Sequence, residues 1–271
     1  MLCAVLLAVL ASQAFVFARD DDETMALKFL TKYHYICPTG SGNQNVGSAI
    51  RQFQDFTGLP VTGQLDQRTI AQMKKPRCGM PDVVELSGGG FGWEKRYATG
   101  TKWGKKHLTY HVEHGADLSR ATQDTVFARA LKYWNDVSGL SFSRASNARS
   151  ADLKISFGSR SHVGSNESRC YYPFDGPSGT LAHAFIPSES RAHFNEDEGF
   201  TDGTSSGTNL LWVATLEFGH SLGIHHSNVR NAVMYPYYTG YVPNFSLQQA
   251  DIDAIQSLYG AAGGGGVCKL Y

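Results

Sequence analysis

Val213-Ala-Thr-Leu-Glu-Phe-Gly-His-Ser-Leu-Gly-Ile-His-His-Ser227 decides how this chain is read. The stretch is an apolar helix that Gly223 stops. Helix positions four apart face the same way, so residues 216 and 220 share a side, with Glu217 next to them. Gly223 lets the chain double back, so His226 can approach the same point. This is the spacing of His-Glu-x-x-His-x-x-Gly-x-x-His, in which three imidazoles hold zinc and the Glu is the general base. One letter departs from it: the first ligand position is Leu216, a hydrocarbon that cannot bind a metal. His225 competes with His226 in principle, and the Gly-x-x-His spacing selects His226. A buried helix with incidental histidines is the bland alternative. The joint spacing of Glu217, His220, Gly223 and His226, followed by Ala232-Val-Met-Tyr-Pro236, speaks against it.

The 271 residues carry a formal net charge of zero and 42% apolar side chains. That excludes a disordered chain and allows one core of moderate size plus a small second domain. No charge excess points to nucleic acid or to an acidic membrane surface. Residues 1–18 read as a secretory signal peptide rather than a buried first helix. Val16 and Ala18 permit a cut after Ala18, and Ser12 and Ala14 permit one after Ala14. No other run is long enough to span a membrane, so the mature protein is expected in the extracellular space or matrix. Its removal leaves Cys37, Cys78, Cys170 and Cys268. Secretion favours disulfides, but if Cys78 is reserved for metal at least one of the other three is unpaired or intermolecular. Asn166-Glu-Ser and Asn244-Phe-Ser are sequons for N-glycosylation.

Residues 24–75 read as three short helices: Met25 to Tyr35 with Leu27, Leu30 and Tyr33 inward, Ala49 to Phe56 capped by Ser48, and Gln67 to Met73 capped by Asp66. A Pro-fenced extended segment follows, Pro76-Arg-Cys-Gly-Met-Pro-Asp82, then the flexible Ser87-Gly-Gly-Gly-Phe-Gly92. Lys95-Arg96 is a nick site, with Trp93 where a furin-type cut wants arginine. Strands are expected over 107–112, over 153–157 and over 181–186. Further helices are expected from a Ser119 cap to Val137, over 209–222, and after a Ser246/Gln249 capping box. Ala261 to Gly266 begins a Gly-rich tail.

Pro76 to Asp82, Tyr172-Pro-Phe-Asp-Gly-Pro177, Thr180-Leu-Ala-His-Ala-Phe185, Glu217 to Ser227 and Met234-Tyr-Pro236 together resemble the matrix metalloproteinases, matrixins of the metzincin group. The resemblance covers nearly all of residues 25–260. It implies an α+β fold: a metzincin-type catalytic domain with a twisted, mostly parallel sheet and three helices, behind a small three-helix prodomain. The implied layout is signal peptide 1–18, propeptide 19–96 with a peptidoglycan-binding-like unit, catalytic domain 97–260 and tail 261–271. It also implies that Cys78 is a switch: a thiolate is a strong zinc ligand, and it would close the fourth position until the linker is cut. Met234 matches the methionine under the zinc, and Pro236 to Tyr238 the wall of the main specificity pocket. The chain reaches only residue 271, so binding through a hemopexin-like propeller is not expected.

The resemblance further implies a structural zinc. His162, His183 and His193 match its three His ligands. Its Asp would fall at Gly164 counting forward from His162, or at Cys170 counting back from Pro173. Cys170 is either that fourth ligand or the partner of Cys37 or Cys268 in a disulfide. Calcium is implied at Asp175, Gly176, Ser178, Thr180 and Glu198, with Asn195 where the family has Asp. Arg191 stands where a second calcium site needs Asp. The implied activity is a latent endopeptidase acting on extracellular matrix or other extracellular proteins, a monomer open to protein inhibitors. Leu216 predicts strongly reduced activity or, alternatively, a homologue that binds peptides or inhibitors without cutting. A purely structural module would have no use for a switch cysteine.

Overall fold

A computed structural model of the chain describes residues 21–36, 45–86, 90–92, 99–162 and 170–263. The signal peptide, Cys37, the linker at 87–89, Lys95-Arg96, the Asn166 sequon and Cys268 lie outside the described residues. The chain divides into two compact units. One holds the residues up to Lys74 with Val83–Glu85, the other Lys75–Asp82 with the residues from Leu86 onward. No described helix is long and apolar enough to cross a membrane.

The first unit contains helices α1 (residues 21–32), α2 (Val46–Phe56) and α3 (Gln67–Met73). Its core is Ala26, Phe29, Leu30 and Tyr33 against Ile50, Phe53, Phe56, Ile70 and Met73. Leu27 is not part of it: at 49% exposure it lies on the outer side of α1, and Ala26 and Phe29 supply the inward stripe instead. The Asp66 cap stands, accepting the Thr69 N–H at 2.8 Å. The Ser48 cap does not. Asn45, an equally good capping residue one turn earlier, accepts the Ser48 N–H and starts α2 at Val46. The fully buried Gln54 ties down the following loop. Its amide donates to the Gln64 carbonyl and Thr69 hydroxyl and accepts the Thr62 and Gly63 N–H groups.

The second unit is built on a six-stranded sheet of β1 (Arg77–Cys78), β4 (His107–Val112), β5 (Ser141–Arg144), β6 (Leu153–Gly158), β7 (Thr180–Ala184) and β8 (Arg191–Asn195). Strands β2 (Val84–Leu86) and β3 (Gly90–Gly92) lie between β1 and β4 in the chain. The order across the sheet is β1-β7-β8-β6-β4-β5. Only the β7–β8 pairing is antiparallel. Two-residue strands β9 (Phe200–Thr201) and β10 (Thr208–Asn209) pair separately. Helices α4 (Arg120–Val137), α5 (Leu210–Ser221) and α6 (Gln249–Tyr259) complete the unit. Ser119 caps α4 as expected, and Val126, Phe127, Ala130, Leu131 and Trp134 face the core. Trp134 donates its indole N–H to the Thr215 carbonyl at 2.9 Å, which locks α4 to α5.

β5 and β8 are absent from the sequence reading. β5 is a polar edge strand, Ser-Phe-Ser-Arg, without an apolar alternation. In β8, Ala192 and Phe194 do alternate inward, but His193 and Asn195 are buried too. The α6 cap also differs: Asp251 reaches back to the Gln248 N–H at 2.9 Å, so the helix starts at Gln249 and Ser246 stays outside it.

Candidate active site and metal centres

All twelve residues of α5 are buried, so the helix is packed on every side and runs through the core. Asn209 caps it, accepting the Trp212 N–H at 3.0 Å. Gly223 closes it at φ +99, and a Cβ there would lie 2.3 Å from the Thr101 carbonyl oxygen, so no other residue fits. The chain then folds back as expected, and the His226 ring centroid lies 4.7 Å from that of His220. His220 Nδ1 is 2.7 Å from the Ile224 carbonyl, which can only accept. Nδ1 therefore carries the proton and Nε2 offers a lone pair. His226 Nδ1 faces the Asp82 carboxylate at 2.8 Å, and its buried Nε2 has no hydrogen-bond partner.

Cys78 joins them. Its Sγ lies 3.4 Å from His220 Nε2, and the ligand atoms of Cys78, His220 and His226 all fall within 4.8 Å of one another. The segment carrying Cys78 lies between β7 and Pro236–Tyr238. Arg77 and Gly79 donate to the Gly179 and Ala182 carbonyls, Cys78 donates to the Pro236 carbonyl, and Tyr238 donates to the Pro76 carbonyl. A Cβ on Gly79 would lie 2.6 Å from Thr180 Cγ2, so the close approach requires glycine. Arg77 holds Asp82 through both terminal guanidinium nitrogens, and its Nε donates to the Cys78 carbonyl at 3.0 Å. The expected pocket wall and the switch segment are thus paired through their main chains.

Glu217 is fully buried beside Cys78, and neither of its oxygens has a hydrogen bond of ordinary geometry. Burial pushes its carboxyl up to about 8, and the neighbouring Cys78 opposes this. Burial also raises the Cys78 thiol, helped by the nearby Glu217 charge. Burial holds both imidazoles below their ordinary value, so they are neutral and ready to ligate. Leu216 is wholly buried in the apolar core. Met234 presses on α5 so closely that a Cβ on Gly219 would sit 2.2 Å from its sulfur. The Asp251 carboxylate accepts the Val233 and Met234 N–H groups and fixes that turn.

The Glu217 carboxyl has a consequence for the metal-free chain. Its proton leaves near 4.5 when unfolded and near 8 when folded. The folded state binds more protons in that window, so the stabilising contribution is full below 4.5 and is lost as pH rises through 8. Urea unfolding in chelator should show the wild-type stability falling relative to Glu217→Gln between those values, by up to about 1.4 kcal/mol per pH unit. A flat difference would contradict this burial effect.

His162, Cys170, His183 and His193 form a second buried cluster, again within 4.8 Å of one another. His183 and His193 are directly paired across β7 and β8. His193 Nδ1 lies 2.9 Å from His162 Nε2 and 3.1 Å from His183 Nε2, and Cys170 Sγ lies 3.3 Å from His183 Nε2. Burial works against thiolate formation at Cys170, but hydrogen bonds from the three histidines hold its thiol down to about 3. Among the described residues Cys170 is a free thiol, and Cys37 and Cys268, its partners in the disulfide alternative, lie outside them. Three imidazoles and a low-lying thiol are a chemically suitable zinc set.

The oxygen-rich loop is also assembled. Asp175 accepts the Thr180 N–H at 2.7 Å, and Glu198 accepts the Ser178 N–H at 2.6 Å. The carbonyls of Gly176 and Thr180 converge on the Asn195 amide nitrogen at 2.9 and 3.0 Å. The amide thus holds these two carbonyls together as a donor. Turning it over would offer Oδ1, an ordinary calcium ligand. Arg191, where a second calcium site would need Asp, pairs with Glu189. The sequence reading gave no role to Asp82 or Asp251. The first lies in the Pro-fenced segment, and the second is the acid in the first turn of α6.

Residues 102–260 match the family model described as Matrixin, and residues 25–73 match that described as Putative peptidoglycan binding domain. The chain belongs to the matrixin family. It is 45% identical to a hatching enzyme of Paracentrotus lividus over 88% of this chain and 38% of that protein. It is 43% identical to matrilysin of Homo sapiens over 84% of this chain and 82% of that protein, and 41% identical to stromelysin-1 of Mus musculus over 90% and 50%. The chain therefore spans about half or less of two of these relatives and most of the third.

Proposed function

We propose that this chain is a secreted zymogen of a matrixin-type zinc endopeptidase, with signal peptide 1–18, propeptide 19–96, catalytic domain 97–260 and a tail at 261–271. The observation that carries the reading is the convergence of Cys78 Sγ, His220 Nε2 and the unpartnered His226 Nε2 on one point. Those three residues would hold zinc while the propeptide is in place. Bound there, zinc supplies Lewis acidity that brings a water towards neutral pKa and polarises a peptide carbonyl. Glu217, which lies against Cys78 beside that point, would take a proton from the attacking water and hand one to the leaving amine. β7 and Pro236–Tyr238 would pair with an extended substrate through the main-chain groups that now hold Pro76 to Gly79. His162, Cys170, His183 and His193 would hold a structural zinc. Asp175 and Glu198, with the carbonyls of Gly176, Ser178 and Thr180, would hold calcium once the Asn195 amide turns. Substrates are extracellular matrix or other extracellular proteins, and protein inhibitors would compete for the cleft. The protein acts as a monomer.

Leu216 favours a second reading, a homologue that binds peptides or inhibitors in the same cleft without cutting them. The wild-type chain cut after Arg96 separates the two readings: hydrolysis of gelatin or a peptide belongs to the endopeptidase, and peptide binding without hydrolysis to the second. Hydrolysis of gelatin or a peptide by the Leu216→His chain cut after Arg96 should vanish when Glu217→Gln is added. Hydrolysis that survives that change, or none at all from a zinc-loaded Leu216→His chain, would overturn the endopeptidase reading.

A further inference from the structure

We infer that Asp82 is a positioning residue for the centre at Cys78, His220 and His226: the segment that brings the thiol also brings the carboxylate that orients His226. The inference rests on the metal reading above.

The two imidazoles are aimed by different parts of the chain. His220 donates from Nδ1 to the Ile224 carbonyl, just past the end of its own helix. His226 donates from Nδ1 to Asp82 Oδ1 at 2.8 Å, and both side chains are 0% exposed. A carboxylate can only accept here, so the contact fixes the tautomer and leaves the Nε2 lone pair pointing away. That Nε2 is buried with no hydrogen-bond partner. Asp82 is in turn gripped by Arg77, at 2.9 Å from Nη1 to Oδ2 and 2.6 Å from Nη2 to Oδ1. Arg77 Nη1 also reaches the Tyr237 hydroxyl at 3.2 Å. A buried acid so held keeps its charge, and a charged acceptor behind a ligating imidazole strengthens its hold on a cation. Release of the segment would therefore remove one ligand and slacken another in the same event. With Leu216 in place of a third His, that coupling decides whether any metal stays.

The test is zinc titration of the full chain against a chelator that resolves two ions per chain. Asp82→Asn should weaken one ion about 10–100-fold and leave the other, at His162, Cys170, His183 and His193, unchanged. Because Asp82→Asn strands the Arg77 charge, the double variant Arg77→Gln/Asp82→Asn is measured beside it and should be weakened to the same degree. Nitrogen NMR of the zinc-free chain should show the Nδ1–H tautomer of His226 in the wild type and a mixture in both variants. Wild-type affinity in the double variant would overturn the role of Asp82, and so would equal weakening of both ions. A wild-type chain that binds no ion at the first centre would instead overturn the metal reading beneath it.

Discussion

Leu216→His should raise peptide hydrolysis by the chain cut after Arg96 by about a hundredfold or more at limiting zinc. Four ligands in a structural zinc site contribute roughly 10–16 kcal/mol, so one ligand is worth on the order of 3 kcal/mol, or more than two powers of ten in affinity. Residue 216 lies one helical turn from His220 on the same side of α5, so the new imidazole would face the point that His220 and His226 already share. Leu216 also presents hydrocarbon to a charged site, and its removal relieves a desolvation cost. The substitution is made in a helix fixed at both ends, by Asn209 and by Gly223. Rates of hydrolysis for the two cut chains, measured over a range of free zinc, check this. Equal rates at limiting zinc would show that Leu216 does no damage.

The second large effect concerns metal content. The intact wild-type chain should hold two zinc ions, and the chain cut after Arg96 and freed of its propeptide should hold one. Before the cut, Cys78, His220 and His226 supply three donors. Afterwards two imidazoles remain, and His226 has lost the Asp82 contact. The second cluster draws on β7, β8, Cys170 and His162 and is untouched by the cut. Metal analysis after gel filtration reads the difference. In the Leu216→His chain both ions should survive the cut, which separates loss of a ligand from general damage.

Much of this was legible in the sequence because its signals were local. The spacing from Glu217 to His226, the Ser119 and Asp66 caps, and the Cys78 segment each carry their meaning within a few residues. The side chains of Cys78, His220 and His226 lie together, as do those of His162, Cys170, His183 and His193. What was not legible depended on long-range partners. Nothing near Asp82 in the sequence reveals that it meets His226, 144 positions later. Nothing near Asn195 shows that its amide will gather the Gly176 and Thr180 carbonyls. The Ser48 cap failed because Asn45, an equally good capping residue, lies a turn earlier, and the Ser246 cap because Asp251 accepts the Gln248 N–H and starts the helix at Gln249. β5 was hidden because an edge strand with one face in solvent can be almost wholly polar.

The most direct test is anomalous diffraction at the zinc edge from crystals of the intact chain. A peak should lie about 2.3 Å from Cys78 Sγ and about 2.0–2.1 Å from Nε2 of His220 and of His226, with a second among His162, Cys170, His183 and His193. A filled second centre with no density between Cys78 and the two α5-side imidazoles would contradict the assignment.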